Sequence, residues 1–173
     1  AFRTGAQDHH GRRYALDYWR PYFAMADATA AEGGRMFIQV HSRALNLVLS
    51  FETQMPYDRL PVWRDMRQLP LAQQEAALRN PDMRRKLVEV ARQQEDDGGR
   101  GVGPAARSAN YEYLFVMDNP TPPHRSIAEI ARALNKAPVD VVIDLALQKH
   151  MKQFFLQPLA NENQDHVLEM MRH

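Results

Sequence analysis

The chain has 173 residues, of which 45% are apolar and 25% charged, the composition of one ordinary globular domain and not of a disordered segment. Its formal net charge of +1 leaves no electrostatic case for a nucleic-acid or membrane-surface partner, so neither is expected. Cysteine is absent, which removes disulfides and thiolate metal sites and leaves His, Asp and Glu as the available ligands.

Apolar runs stay short of the roughly 20 residues that a membrane helix requires, and the opening "AFRTGAQDHHGRRYA" lacks the hydrophobic core of a signal peptide. The cytoplasm is therefore the default location. Without an initiating Met, the chain is expected to be processed or to be a piece of something longer. In this opening Asp8, His9 and His10 can contribute to a zinc site only if the fold gathers further ligands, and a solvated loop is the plainer reading.

From Tyr14 to Glu32 the residues Leu16, Trp19, Phe23, Ala26 and Ala30 recur at helical spacing, and "EGGR" supplies glycines where the helix should stop. The pattern predicts a helix kinked or restarted at Pro21. Met36 to Val40 is a short apolar run with a β-branched bias and predicts a strand. Helix, glycine turn and strand in that order imply an α/β protein with a parallel sheet.

His41, Ser42 and Arg43 then interrupt the apolar texture. Polar groups at the carboxyl end of a buried strand face the ligand crevice of α/β sheets and barrels. Arg43 can hold a carboxylate through two hydrogen bonds, and His41 can donate to an oxyanion or transfer a proton. The plain structural alternative pairs Arg43 with a nearby acid and lets His41 cap the strand end.

After Phe51 short helical pieces are punctuated by Pro56, Pro61, Pro70 and Pro81, and residues 53 to 110 read as a helical insertion. Within it Met83, Leu87, Val90 and Ala91 form one stripe of a helix that begins near Pro81. Gly98 to Ser108 is glycine-rich but lacks the Lys and Ser or Thr of a phosphate cradle, so it reads as a linker.

Tyr111 to Met117 predicts the next strand, and the proline-rich turn after it carries His124. Ser126 and Glu129 have the spacing of a capping box. Pro138 then opens a second helix whose Val139, Val142, Ile143 and Ala146 share a face. This pair imitates a helix-turn-helix, but a recognition helix offers polar and basic groups to DNA, whereas this one is apolar and carries Asp140 and Asp144. Phe154 to Leu156 predicts a brief strand, followed by a polar loop around Asn161 to Asn163 and a final helix from Asp165. His150, His166 and His173 read as surface groups.

Three stretches in order, "QVHSRALNLVLSFETQMPYDRLPVWRDMRQLPLAQQEAALRNPDMRRKL", "RSIAEIARALNKAPVDVVIDLAL" and "QPLANENQDHVLEMMRH", resemble the C-terminal half of the N-acyl-D-amino-acid deacylase (D-aminoacylase-like) branch of the amidohydrolase superfamily. The likeness covers the chain from about Arg35 onward. It implies part of a metal-dependent (β/α)8 barrel that cleaves the amide bond of N-acyl amino acids, with a zinc-bound hydroxide as the attacking group. It also implies that His41 and Arg43 sit at the rim of the substrate pocket, Arg43 toward the substrate carboxylate, and that the helical insertion covers the mouth like a lid. The family's paired H-x-H histidines and its catalytic aspartate have no counterpart in these residues. His124 stands where relatives commonly have glycine. The resemblance therefore implies no catalytic or metal-ligating residue and no bound zinc in this chain, and an inactive piece when isolated.

The few predicted strands cannot close an eight-stranded barrel. Unpaired edges invite association, so the expected partners are the remainder of a barrel or a second copy in a homo-oligomer. A reading from a different class is a noncatalytic helical domain that binds a protein partner, for which abundant Met and amphipathic helix speak.

Overall fold

The computed structural model describes residues 19–93, 109–161 and 163–173. The expectations placed on Asp8, His9 and His10 and on the glycine-rich linker lie outside these residues. The described elements are α1 (Arg20–Ala31), β1 (Leu45–Leu49), α2 (Pro61–Arg67), α3 (Leu71–Arg79), α4 (Pro81–Gln93), β2 (Phe115–Met117), α5 (Ile127–Leu134), α6 (Pro138–Gln148), β3 (Phe154–Ala160) and α7 (Gln164–Arg172). The protein is a helix-rich mixture of α and β. Among the described residues no helix is long and apolar enough to cross a membrane.

Proline sets many of the helix starts. Pro61, Pro81 and Pro138 open α2, α4 and α6, and Pro21 lies in the first turn of α1. A helix's first amides have no partner within the helix, so a residue without an N–H loses nothing there. The residue before such a proline is pushed toward extended backbone, as Leu60, Asn80 and Ala137 are. Asn80 serves two helices at once. It ends α3, and its Oδ1 accepts hydrogen bonds from the amides of Asp82 and Met83, each at 3.0 Å, at the start of α4.

The sheet has three strands in the order β1-β3-β2. β2 and β3 run antiparallel, with Phe115 opposite Leu156 and Met117 opposite Phe154. This corrects the expected parallel arrangement, and it also shortens the strand expected over Tyr111 to Met117. The reason lies in where the backbone groups go. Tyr113 N–H closes a turn onto Asn110, while the carbonyls of Tyr111 and Leu114 accept from Ala128 and Ile127 at the start of α5. Only Phe115 to Met117 remain available for the ladder with β3.

The strand expected at Met36 to Val40 is likewise displaced. That segment belongs to no strand, and the nearest ladder forms further on at Leu45–Leu49. Apolar, β-branched sequence qualifies a segment to pair, but pairing needs a neighbour. Ile38 and Val40 instead rest against an apolar cluster of Trp19, Phe23, Val167 and Met170.

The chain divides into two compact units, one from residues up to Asn46 together with Pro158–His173, the other from Leu47–Gln157. The first unit is built on α1 and α7. Its helix α1 stops as the glycines demand: Gly33 takes φ +80°, and the amides of Gly33 and Gly34 return to the carbonyls of Ala30 and Thr29. Trp19 meets Phe23 edge to face at 5.2 Å between ring centres, and Arg20 grips Glu169 through two bonds of 2.5 and 2.7 Å. Both partners of that ion pair are about half exposed, so packing of the aromatic cluster outweighs it.

The second unit holds the larger core, centred on Leu49, Phe51, Tyr57, Trp63, Leu78, Leu87, Ile127, Ile143 and Phe155. Trp63 is wholly buried, stacked at 4.5 Å on Tyr57, and its indole N–H donates to the Leu87 carbonyl at 2.9 Å. Helix α6 packs against α3, α4 and α5, and accordingly buries Val139, Val141, Val142, Ile143 and Ala146. Its Asp140 and Asp144 are engaged by Arg84 of α4, Arg84 Nε to Asp140 Oδ1 and Nη1 to Asp144 Oδ1 each at 2.8 Å. Lys136 adds a further contact to Asp144 at 2.8 Å.

One polar knot lies within this unit. The Arg67 side chain, only 9% exposed, donates from Nε to Asp58 Oδ1 at 2.8 Å, from Nη2 to the Thr53 carbonyl at 3.1 Å, and from Nη1 to the Phe51 carbonyl and to Gln74 Oε1. Buried Gln74 then donates to the carbonyls of Arg67 and Leu69 near the end of α2, at 3.2 and 2.7 Å. Asp58 also accepts from the Met55 amide at 2.9 Å.

Arg67→Ala removes the donor on which two loop carbonyls and a carboxylate depend. It should lower unfolding stability by about 3 kcal/mol in urea titrations, with Arg67→Lys recovering only part, because an ammonium cannot reproduce the fork. A loss below about 0.5 kcal/mol would show that the knot is dispensable. At the start of α5, Ser126 Oγ accepts from the Glu129 amide at 3.1 Å while Glu129 Oε2 accepts from the Ser126 amide at 3.2 Å, the reciprocal box expected. Ser126→Ala should cost about 1 kcal/mol by the same measurement.

Asp144 supplies a pH test. Partial burial pushes its carboxyl up, but the hydrogen bonds from Arg84 and Lys136 and their charges outweigh this and hold it below the ordinary carboxylate range. A lowered folded value means the stabilisation is present above the unfolded carboxyl's pKa and is lost as pH falls through the folded one. The stability gap between the native chain and Asp144→Asn should therefore be widest near neutrality and shrink below about pH 4. A gap that stays constant into strong acid would refute the assignment.

Candidate functional site

His41, Ser42 and Arg43 lie where Ile38 and Val40 leave the α1–α7 cluster, and the chain bends at Ser42 and Arg43 before entering β1. All three are exposed. They stand at the amino end of β1, whereas the expectation put them at the carboxyl end of a strand. The correction follows from the displaced ladder: the strand comes after the polar triplet. At the carboxyl end of β1 lies the Ser50–Asp58 loop instead, whose carbonyls at Phe51 and Thr53 are taken by Arg67.

The triplet is held by a residue that the sequence patterns did not single out as part of a site. Asn161 is 7% exposed and donates from Nδ2 to the His41 carbonyl at 3.0 Å. Its own carbonyl accepts from Gln164 Nε2 at 2.8 Å, and its backbone is left-handed, φ +60°. Asn tolerates that conformation better than most side chains, because its short amide can bond locally. The signal was present in the polar "ANENQ" run, but only the fold brings position 161 beside position 41.

His41 and Arg43 are not brought together with a carboxylate partner by any contact among the described residues, and the imidazole and guanidinium both face solvent. Such a pair can bind an anion or a carboxylate from solution. Catalysis would require a nucleophile or a metal beside them. Among the described residues no group of three or more His, Asp or Glu side chains gathers at metal-binding distance.

Among the described residues, His150, His166 and His173 make packing and surface contacts. His166 lies edge-on to Trp19 at 6.1 Å, and His173 contacts Phe23 at 4.7 Å and Asp27 at 3.1 Å. His150 has a left-handed backbone, φ +51°, and lies 3.8 Å from Glu75. An open groove of about 410 Å³ runs along α7, lined by Asp165, Leu168, Glu169, Arg172 and His173. Glu169 within it is already committed to Arg20, and neither His41 nor Arg43 lines it.

Asn161→Ala should cost about 1 to 2 kcal/mol through loss of the buried amide bond and the strained backbone it leaves. Amide hydrogen exchange around Ser42 and Arg43 should accelerate in parallel; unchanged exchange there would show that Asn161 does not hold the triplet. Compared with protein-family models, with curated proteins and with solved structures, the chain has no match.

Proposed function

We propose that the chain is part of a metal-dependent amidohydrolase of the N-acyl-D-amino-acid deacylase type, inactive as an isolated piece. A resemblance supports this reading: three long stretches, together spanning most of the sequence from about Arg35, resemble that family in order. The placement of α3 and α4 inside residues 53–110, of the capped α5 beside α6, and of α7 at the end is compatible with that order.

In this reading the chain contributes to a (β/α)8 barrel whose parallel strands are supplied by other parts of a longer protein, since the antiparallel β2–β3 pair is not a barrel pairing. Zinc is the metal of that complete enzyme, held by residues outside this chain, and its location is cytoplasmic. Arg43 meets the substrate carboxylate through its guanidinium fork and His41 supplies a hydrogen bond at the rim. Neither acts on the scissile bond. Helices α2 to α4 form the cover of the pocket mouth.

A second reading, a noncatalytic helical interaction domain, draws on exposed apolar side chains: Phe37 is 89% exposed and Met25 is half exposed. The two separate in the full-length protein. With Zn²⁺ and N-acyl-D-amino acids as substrates, the enzyme reading expects turnover by the full-length protein and none by this chain. Arg43→Ala should lower kcat/KM by about 10-fold or more, largely through KM, without loss of folding. Turnover by the isolated chain would mean the metal site is misplaced, and a full-length protein without hydrolase activity would leave the interaction domain standing.

The same reading expects the isolated chain to associate. Light scattering should find dimers or larger species; a monomer with every strand amide protected from hydrogen exchange would count against it.

A further inference from the structure

We draw no further inference here: the strongest candidate, the open edge of β1, where Leu45 and Val48 are half exposed and no charge or proline guards the strand, carries nothing because nothing in the structure shows what covers it.

Discussion

The second unit depends on one requirement, that the backbone carbonyls of the loop after β1 find donors once they are drawn into the protein. Phe51 is buried, so its carbonyl cannot rely on water, and Arg67 supplies the bond. A guanidinium suits this because it presents several donors in a fixed plane, so that two loop carbonyls, one carboxylate and one side-chain amide are served together. Desolvating such a charge is costly by itself. The cost is offset because Asp58 supplies the opposite charge at 2.8 Å and the Phe51 ring lies 5.4 Å from the guanidinium carbon. Gln74 extends the arrangement to the carbonyls that end α2, so strand exit, loop and two helices share one set of bonds.

Around that knot the apolar core is dense with large side chains and the polar groups within it are few; buried Gln153 donates from Nε2 to the Phe154 carbonyl at 2.8 Å, while its Oε1 has no hydrogen-bond partner among the described residues. Trp63 shows the pattern: full burial, two aromatic neighbours, and one hydrogen bond for its one donor. Arg84 repeats the solution of Arg67 in a wetter setting. It bridges two carboxylates on successive turns of α6, and at its greater exposure solvent weakens each contact. Among the described residues the cluster of the smaller unit has four buried apolar side chains, and the Ile38 and Val40 packed against them come from an irregular segment.

His41 and Arg43 can recognise a carboxylate, but recognition is not hydrolysis. A buried asparagine with a left-handed backbone holds the carbonyl of His41, while the His41 and Arg43 side chains are exposed.

Helix boundaries were legible because they are written in local chemistry. Pro138, Pro81, Ser126 with Glu129 and the glycines after Glu32 each act within four residues of themselves, and each ended or began a helix where its chemistry requires. The capping box is the clearest case, since both of its hydrogen bonds join residues three apart. The strands were not legible in the same way. "MFIQV" and "YEYLFVM" have the composition of strands, yet one forms none and the other keeps three residues, because a ladder needs a partner far away in sequence and the backbone groups of Tyr111 and Leu114 are claimed by α5. Sheet direction and the union of Asn161 with His41 likewise arise only when distant segments meet. Local chemistry suffices to mark most helix ends and their apolar faces, whereas which extended segments become strands, in which direction they pair, and which end of β1 bears the polar triplet depend on long-range hydrogen bonds that no local spacing encodes.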